Sequence, residues 1–457
     1  MSARIAMEKE QLFTTVPVGK AVVSLAVPTV IAQLITVVYN MADTFFIGQL
    51  GDPNQVAAAT LAMPVFIFLT AFSNLFGIGG ASMISRCLGA GRREKASQAA
   101  AFCIWSAALL ALLYGVAVLL LKDTLLPLLG TDAATSGFCA SYIFWTVGVG
   151  AVPTVLNAEL AHLIRSEGYS GQASFGVAFG GVLNMILDPV FIFLFKMEIA
   201  GAAIATMLSN VAATLFFFGF LFKIRKTTVI TPSPKRFTLG QGIPAEVLAV
   251  GLPSFLMTLM STLSNLTLNK MISGYSNEAV AGMGIAKKID LMAFAIAQGM
   301  TQGTLPLIGY NYSSGNRTRM LAALKTLLFD CLLVAIAGMA LMFFGATSIT
   351  RCFINDAATV AYGRAFLRIV CIACPTTALN FLSITIFQAT GKKLQPLVLS
   401  LLRKGGLDIP LMLLFNSLAG ISGIAWATPL ADALALTVSA ALIIPYLKKL
   451  SAAQPAA

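Results

Sequence analysis

Asp132-Ala-Ala-Thr135 returns as Asp356-Ala-Ala-Thr359, and Gly201-Ala-Ala-Ile-Ala-Thr206 returns as Gly423-Ile-Ala-Trp-Ala-Thr428. Both recurrences lie at a shift of about 224 residues, the scale of a duplicated bundle rather than of a short solenoid repeat. Other positions fall on each other at nearly the same shift: Pro28 and Asn40 on Pro253 and Asn265, Pro153 and Asn157 near Pro375 and Asn380, Gly168 near Gly391. The shift drifts by only a few residues along the chain. The protein therefore reads as two ancestral copies of one unit, and in an apolar chain that pattern points to a transporter with two equivalent lobes and a cleft between them.

Composition sets the solvent. Of the 457 residues 58% are hydrophobic and only 11% charged, and the mean hydropathy is +0.87, far from soluble domains. A helix needs about 20 apolar residues to cross the hydrocarbon core. The sequence offers twelve such stretches, at 21–47, 56–84, 98–121, 138–163, 172–195, 201–223, 247–273, 280–309, 321–345, 362–388, 395–417 and 422–446. Six fall in each copy. Because six is even, both copies enter from the same side and form parallel repeats about an axis along the membrane normal. The expected fold is an all-α integral membrane protein of twelve transmembrane helices in two six-helix lobes. The expected lobes are 14–223 and 247–450, joined by a polar, Pro-containing linker at 224–246.

The net charge of +12 is an orientation signal. Arg86, Arg92, Arg93, Lys95, Lys223, Arg225, Lys226, Lys235, Arg236, Arg317, Arg319, Lys392, Lys393, Lys448 and Lys449 share one side with Arg4 and Lys9. The positive-inside rule places that side, and both termini, in the cytoplasm of a bacterial inner membrane. No soluble basic face with interleaved aromatics exists, so nucleic acid is excluded as a partner. Residues 1–20 lack a cleavable signal pattern. The seven cysteines lie mostly in or near apolar spans; Cys371 and Cys374 form a CxxC without nearby His or acidic ligands and read as packing residues.

Acids that fall inside spans carry the functional reading: Asp43, Glu159, Asp188, Asp330, Asp408 and Asp432. Each costs a few kcal/mol to insert, and such residues usually face the bundle interior. Depth along the helices groups Asp43 near the end of the first span, Asn184 and Asp188 (i, i+4) near the end of the fifth, and Thr206 near the start of the sixth. Two carboxylates, a carboxamide and a hydroxyl at one level suit a hard cation such as Na⁺, or proton exchange. The second copy diverges: Leu268 and Asn269 stand for Asp43 and Thr44, while Asp408 and Thr428 keep the places of Asp188 and Thr206. Asp408 beside Arg403 and Lys404 reads equally as an internal ion pair.

His162, with Glu159 and Arg165 on its helix, reads as an inner-mouth salt-bridge network. Lys287, Lys288 and Asp290 open the eighth span near its outer end, with Lys288 and Asp290 as a pair or gate, or the group as an interfacial anchor. Gln33, Tyr39, Asn40, Met260, Asn265, Gln302 and Asp408 are candidates for the substrate cleft or its gates, and Pro28, Pro189 and Pro253 for hinges. Abundant Met and Phe suit flat organic cations.

Val38-Tyr-Asn-Met-Ala-Asp43-Thr-Phe-Phe-Ile-Gly48, Gly80-Ala-Ser82 leading to Leu88-Gly-Ala-Gly91, and Asn184-Met-Ile-Leu-Asp188-Pro189 resemble the multidrug and toxic compound extrusion (MATE) family. So do Gly201 to Thr206, Gln302-Gly303 with Pro306, and Gly309-Tyr-Asn-Tyr312; the likeness runs from Pro17 to about Tyr446. Arg165-Ser-Glu167-Gly168 looks closest to the bacterial branch that exports cationic drugs. The resemblance implies an antiporter in which inward Na⁺ or H⁺ movement drives drug export by alternating access. It carries the family's cation-site residues onto Asp43, Asn184, Asp188 and Thr206. Another branch uses an acid on the seventh span, where this chain has Ser261 or a neighbour and no acid at all, so that second-lobe site does not transfer. The expected protein is a monomer that meets membrane lipids and small organic cations and uses no cofactor beyond its coupling ion. A lipid-linked precursor flippase shares the two-lobe plan, but the acidic character of the buried charges favours cationic cargo. A membrane enzyme would need a catalytic cluster that is not found.

Overall fold

The computed structural model describes residues 10–452; the inner-side reading of Arg4 and Lys9 lies outside them. Among the described residues every regular element is helical. The elements are α1 (Val18–Gly48), α2 (Pro53–Gly89), α3 (Arg93–Leu120), α4 (Lys122–Leu128), α5 (Ser136–Ile143), α6 (Ala151–Ser166), α7 (Ser170–Pro189) and α8 (Glu198–Lys223). They continue as α9 (Ile243–Ile272), α10 (Asn277–Ser313), α11 (Arg317–Arg351), α12 (Ala357–Val370), α13 (Cys374–Ala389), α14 (Leu394–Leu401) and α15 (Ile409–Ala452). Helices are the form an apolar chain takes in lipid, where each N–H and C=O must find its partner within the segment.

Local chemistry places the ends. Asp52 caps α2 through Asn54 N (2.9 Å), with Pro53 in the first turn. Ser276 and Asn316 cap α10 and α11 in the same way. Gly168 and Gly391 sit in the left-handed region (φ 91° and 74°) just past α6 and α13, where a side chain would be strained. The recurring Asp-Ala-Ala-Thr strings make one device twice. Asp132 Oδ1 accepts from Thr135 Oγ1 (2.7 Å) and N (2.9 Å), and Asp356 Oδ2 accepts from the same atoms of Thr359 (2.7 Å each). These hydrogen bonds hold both exposed carboxyls below the usual carboxylate range, led by the Thr135 hydroxyl for Asp132 and the Thr359 amide for Asp356.

Among the described residues nine helices are long and apolar enough to cross a membrane, ten when α5 with its π turn and α6, bent by 54°, form one span. Twelve were expected from the sequence. Part of the difference lies in the 59-residue stretch Leu394–Ala452, which Gly420 breaks with non-helical angles (φ 58°, ψ −139°). At 1.5 Å per residue it is far longer than one crossing requires. Helix α10 makes the rest: 37 residues long, it carries Glu278, Lys287, Lys288, Asp290, Gln298 and Gln302 and does not count as apolar.

The chain divides into two compact units, Ile31–Phe255 and Leu256 onward, the second also taking Pro17–Val30. Each of α1 and α9 is thus shared at its middle, two residues past Pro28 and two past Pro253. In the first unit the start of α9 lies against α2: a Cβ on Gly79 would strike Val247 O, and one on Gly251 would strike Leu75 O. The second unit repeats this with α10 and the start of α1. A Cβ on Gly299 would sit 2.7 Å from Val30 Cα, and one on Gly303 2.7 Å from Leu25 O. Small residues permit this backbone approach where lipid gives helices no hydrophobic reason to associate.

The polar segment after α8 is laid down on the first unit. Glu167 accepts from Thr228 Oγ1 (2.6 Å) and Val229 N (2.7 Å), Arg93 donates to Thr227 O (2.9 Å), and Trp105 Nε1 donates to Pro232 O (3.0 Å). Arg236 pairs with Glu94 at 3.0 Å, and Phe237 stacks on Phe102.

Candidate functional site

Helix α7 supplies Asn184 and Asp188 one turn apart, so both side chains leave the same face. Asn184 Nδ2 donates to Asp188 Oδ1 (3.0 Å) and reaches Thr206 Oγ1 on α8 at 3.4 Å. Asp188 is fully buried and Asn184 nearly so. A π turn at Val190–Leu194 follows Pro189 directly; such turns interrupt the regular ladder and concentrate at functional sites. Gly181 lets Tyr39 of α1 lie close, 2.8 Å from where its Cβ would be. Asp43, one turn beyond Tyr39 on α1, is half-buried, and its charge acts on both Asp188 and Tyr142.

Three oxygens in this group are buried without a hydrogen-bond partner: Asp43 Oδ1, Asn184 Oδ1 and Asp188 Oδ2. Buried polar atoms are nearly always satisfied, so three orphan acceptors of one sign call for a donor from outside the chain. Tyr142 of α5, within electrostatic range of both acids, was not singled out from the sequence. A buried tyrosine about one turn into an apolar span gives no periodic signal.

A neutral ladder continues along α6 and α8, also unforeseen. Asn157 Nδ2 donates to Asn210 Oδ1 (2.9 Å), Asn210 Nδ2 to Thr154 Oγ1 (3.1 Å), and Thr214 Oγ1 to Pro153 O (2.9 Å). The Glu159–His162–Arg165 group is not a salt-bridge network. Both Glu159 oxygens lack a partner, and the contact formed is Arg165 to His162 Nδ1 at 3.4 Å. The side chains at i, i+3 and i+6 fan around the helix, and Arg165 is too far along to reach back.

The second unit holds its acids differently. Arg403 grips Asp432 with two nitrogens (2.6 and 2.9 Å), Thr377 donates to the same carboxylate, and the guanidinium lies over the Phe381 ring. Asp408 accepts from Lys404 (3.0 Å) and Ser264 (2.7 Å). The internal ion pair read at Asp408 is present, made by Lys404 and not by Arg403. Asp290 pairs at 3.7 Å with Lys287, not with Lys288, because i, i+3 neighbours share a face and i, i+2 neighbours do not. Of the remaining cleft and gate candidates, Asn40 and Asn265 are exposed; Gln33, Met260 and Gln302 are partly buried. Gln302 Oε1 is another orphan, and Met260 Sδ lies against Gly405. Cys371 and Cys374 are buried and unbridged.

The MatE family model matches residues 28–190 and again 253–414, starting at the two prolines that the internal repeat superposes. The chain belongs to the MatE family. Among MatE relatives, the multidrug export protein MepA of Staphylococcus saprophyticus is 32% identical over 443 residues, 96% of this chain and 97% of that protein. MepA of Staphylococcus aureus is 30% identical over the same shares. A solved chain described as the outward-facing conformation of a multidrug resistance MATE family transporter of the MOP superfamily superposes with a TM-score of 0.88 at 25% identity, covering 96% of this chain and 98% of its own. A MATE P26A mutant superposes at 0.90 with 24% identity over the same shares, a likeness of fold. This MatE chain is a multi-pass membrane transporter of the multidrug efflux class.

Proposed function

We propose that the protein exports amphipathic organic cations across the bacterial inner membrane by alternating access, in exchange for inward H⁺ or Na⁺. It would work as a monomer, with both termini cytoplasmic and no cofactor beyond the coupling ion. The observation that carries this is the trio of buried, partnerless oxygens on Asp43, Asn184 and Asp188. With the Thr206 hydroxyl they form an all-oxygen donor set, the chemistry that receives a hard cation or a proton. Binding there removes the repulsion between two carboxylates in low dielectric, so the loaded and empty sites favour different arrangements of α1 against α7. Pro28 and Pro253 sit where α1 and α9 pass from one unit to the other, which suits them to absorb the change. The cargo class is supported by the curated relatives, which are multidrug export proteins, and by the unpaired acids of the first unit.

The test is dye efflux from vesicles with Na⁺ and pH gradients imposed separately. Asp43→Asn and Asp188→Asn should each bring gradient-driven efflux of a cationic dye to the empty-vector level, with insertion retained. Wild-type rates in either variant would refute the coupling site. Complementation of a lipid-precursor flippase mutant, with no dye effect, would refute the cargo.

A further inference from the structure

The two units carry one polar skeleton with different charges. In the register of the repeat, Thr154, Asn157, Asn184, Asp188 and Asn210 of the first fall on Thr377, Asn380, Lys404, Asp408 and Asp432 of the second. The geometry follows the register. Asn184 donates to Asp188 at 3.0 Å in one unit, and Lys404 donates to Asp408 at 3.0 Å, again i to i+4, in the other. The first pair precedes a π turn, Val190–Leu194, and the second lies within one, Leu402–Asp408. Thr154 serves Asn210, and Thr377 serves Asp432. At these positions the first unit has one acid, Asp188, and no cation, whereas the second has two acids, Asp408 and Asp432, each held by a cation of its own, Lys404 and Arg403.

We propose that the second unit holds a latent cation site in which the Lys404 ammonium, tethered by its own chain, stands where a Na⁺ or a proton binds in the first. Asp408 is 1% exposed, its Oδ2 takes both Lys404 and Ser264, and its Oδ1 is buried with no partner. That free oxygen is the remaining coordination position of a site not designed around the lysine alone. The other charges facing Asp408 are accounted for: Lys287, which pairs with Asp290 on α10, and Arg403, which is spent on Asp432. A fixed internal counter-ion makes this unit indifferent to pH and Na⁺, so only one unit responds to the gradient. An ammonium and a bare alkali cation compete for the same oxygens, and a lysine at this place excludes the ion without changing the ligands.

The proposal rests on the first cluster being a cation site, and the experiment separates the two. The full-length chain, purified in detergent, is melted at about pH 5.5 and about pH 8.5 in choline, and at fixed pH with Na⁺ replacing choline at equal ionic strength. Asp43→Asn/Asp188→Asn serves as the silenced background. If it responds as the wild type does, the reading of the first cluster fails. On that background Lys404→Asn, which restores the residue of the first copy, should raise Tm by about 2–4 °C in acid or with Na⁺. The choline series identifies a proton, the Na⁺ series the metal ion. Adding Asp408→Asn should abolish the gain, and Lys404→Arg, which keeps a cation in place, should show none. An unchanged response in Lys404→Asn, or a gain that survives Asp408→Asn, overturns the proposal. So does failure of both Lys404→Asn and Lys404→Gln to fold in every condition, since an external cation should replace the ammonium.

Discussion

Replacing Arg403 by Met tests how the second unit is held. The Arg403 and Asp432 side chains are 2% and 1% exposed and meet at 2.6 Å, so water screens almost nothing. Met keeps much of the volume and still packs on Phe381, which confines the loss to charge and hydrogen bonds. Among the described residues, Asp432 is then left with the Thr377 hydroxyl as its side-chain donor. Removing one partner of a buried pair costs about 3–5 kcal/mol, because the other charge stays behind uncompensated. The forfeited cation–π contact adds about 0.5–2 kcal/mol. At roughly 2–4 °C per kcal/mol for a unit of this size, Tm should fall on the order of 10 °C. Thermal unfolding of purified Arg403→Met reads this directly, and the deficit should shrink in acid as the carboxyl is neutralised. Arg403→Met/Asp432→Asn should recover most of the loss, since no charge is stranded. A single variant within about 1 kcal/mol of wild type, or a double variant no better than the single, would refute the reasoning.

Gly251→Ala and Gly303→Ala should each destabilise by about 1–3 kcal/mol, because the added methyl meets backbone that must move. Gly338→Ala, with nothing within 4 Å, should be neutral or mildly stabilising in the same melt. The lowered carboxyls of Asp132 and Asp356 contribute stability that is present above the unfolded carboxyl range and is lost as pH falls through their folded values. Asp132→Asn/Asp356→Asn should therefore lower the Tm near neutral pH, leave the Tm in acid unchanged, and so shrink the wild-type decline between the two.

The repeat and the grouping of Asn184, Asp188 and Thr206 were legible because they rest on local spacing. An i, i+4 pair on an outward-running span and a hydroxyl early in the next reach one depth whatever the tertiary detail. The Arg403–Asp432 pair was not, since its partners lie in different spans and nothing in either helix marks the other. Pro28 and Pro253 read as hinges in the sequence, but an apolar helix does not say which unit its halves join, so the division of α1 and α9 just past them was not legible. The Pro-containing segment after α8 looked like a bare linker. Its anchors, Glu167 and Trp105, are single residues on distant elements. The eighth span was read from the apolar run 280–309, but α10 as a whole also carries Glu278, Lys287, Lys288 and Asp290 and falls short of an apolar span.

The shared α1 has a consequence for biosynthesis. Pro17–Val30 belongs to a unit whose close-packing partners, Gly299 and Gly303, lie about 270 residues further on; at ~5–20 residues per second they emerge roughly 15–50 s later. Throughout that interval the Leu25–Ala26–Thr29 face has only lipid or insertion machinery for company. The first unit likewise lacks the start of α9 until the linker has been made. Neither unit can be completed by a half-length product, so the ancestral duplication has become a single object of translation, and a gene cut at the linker would encode two incomplete bundles.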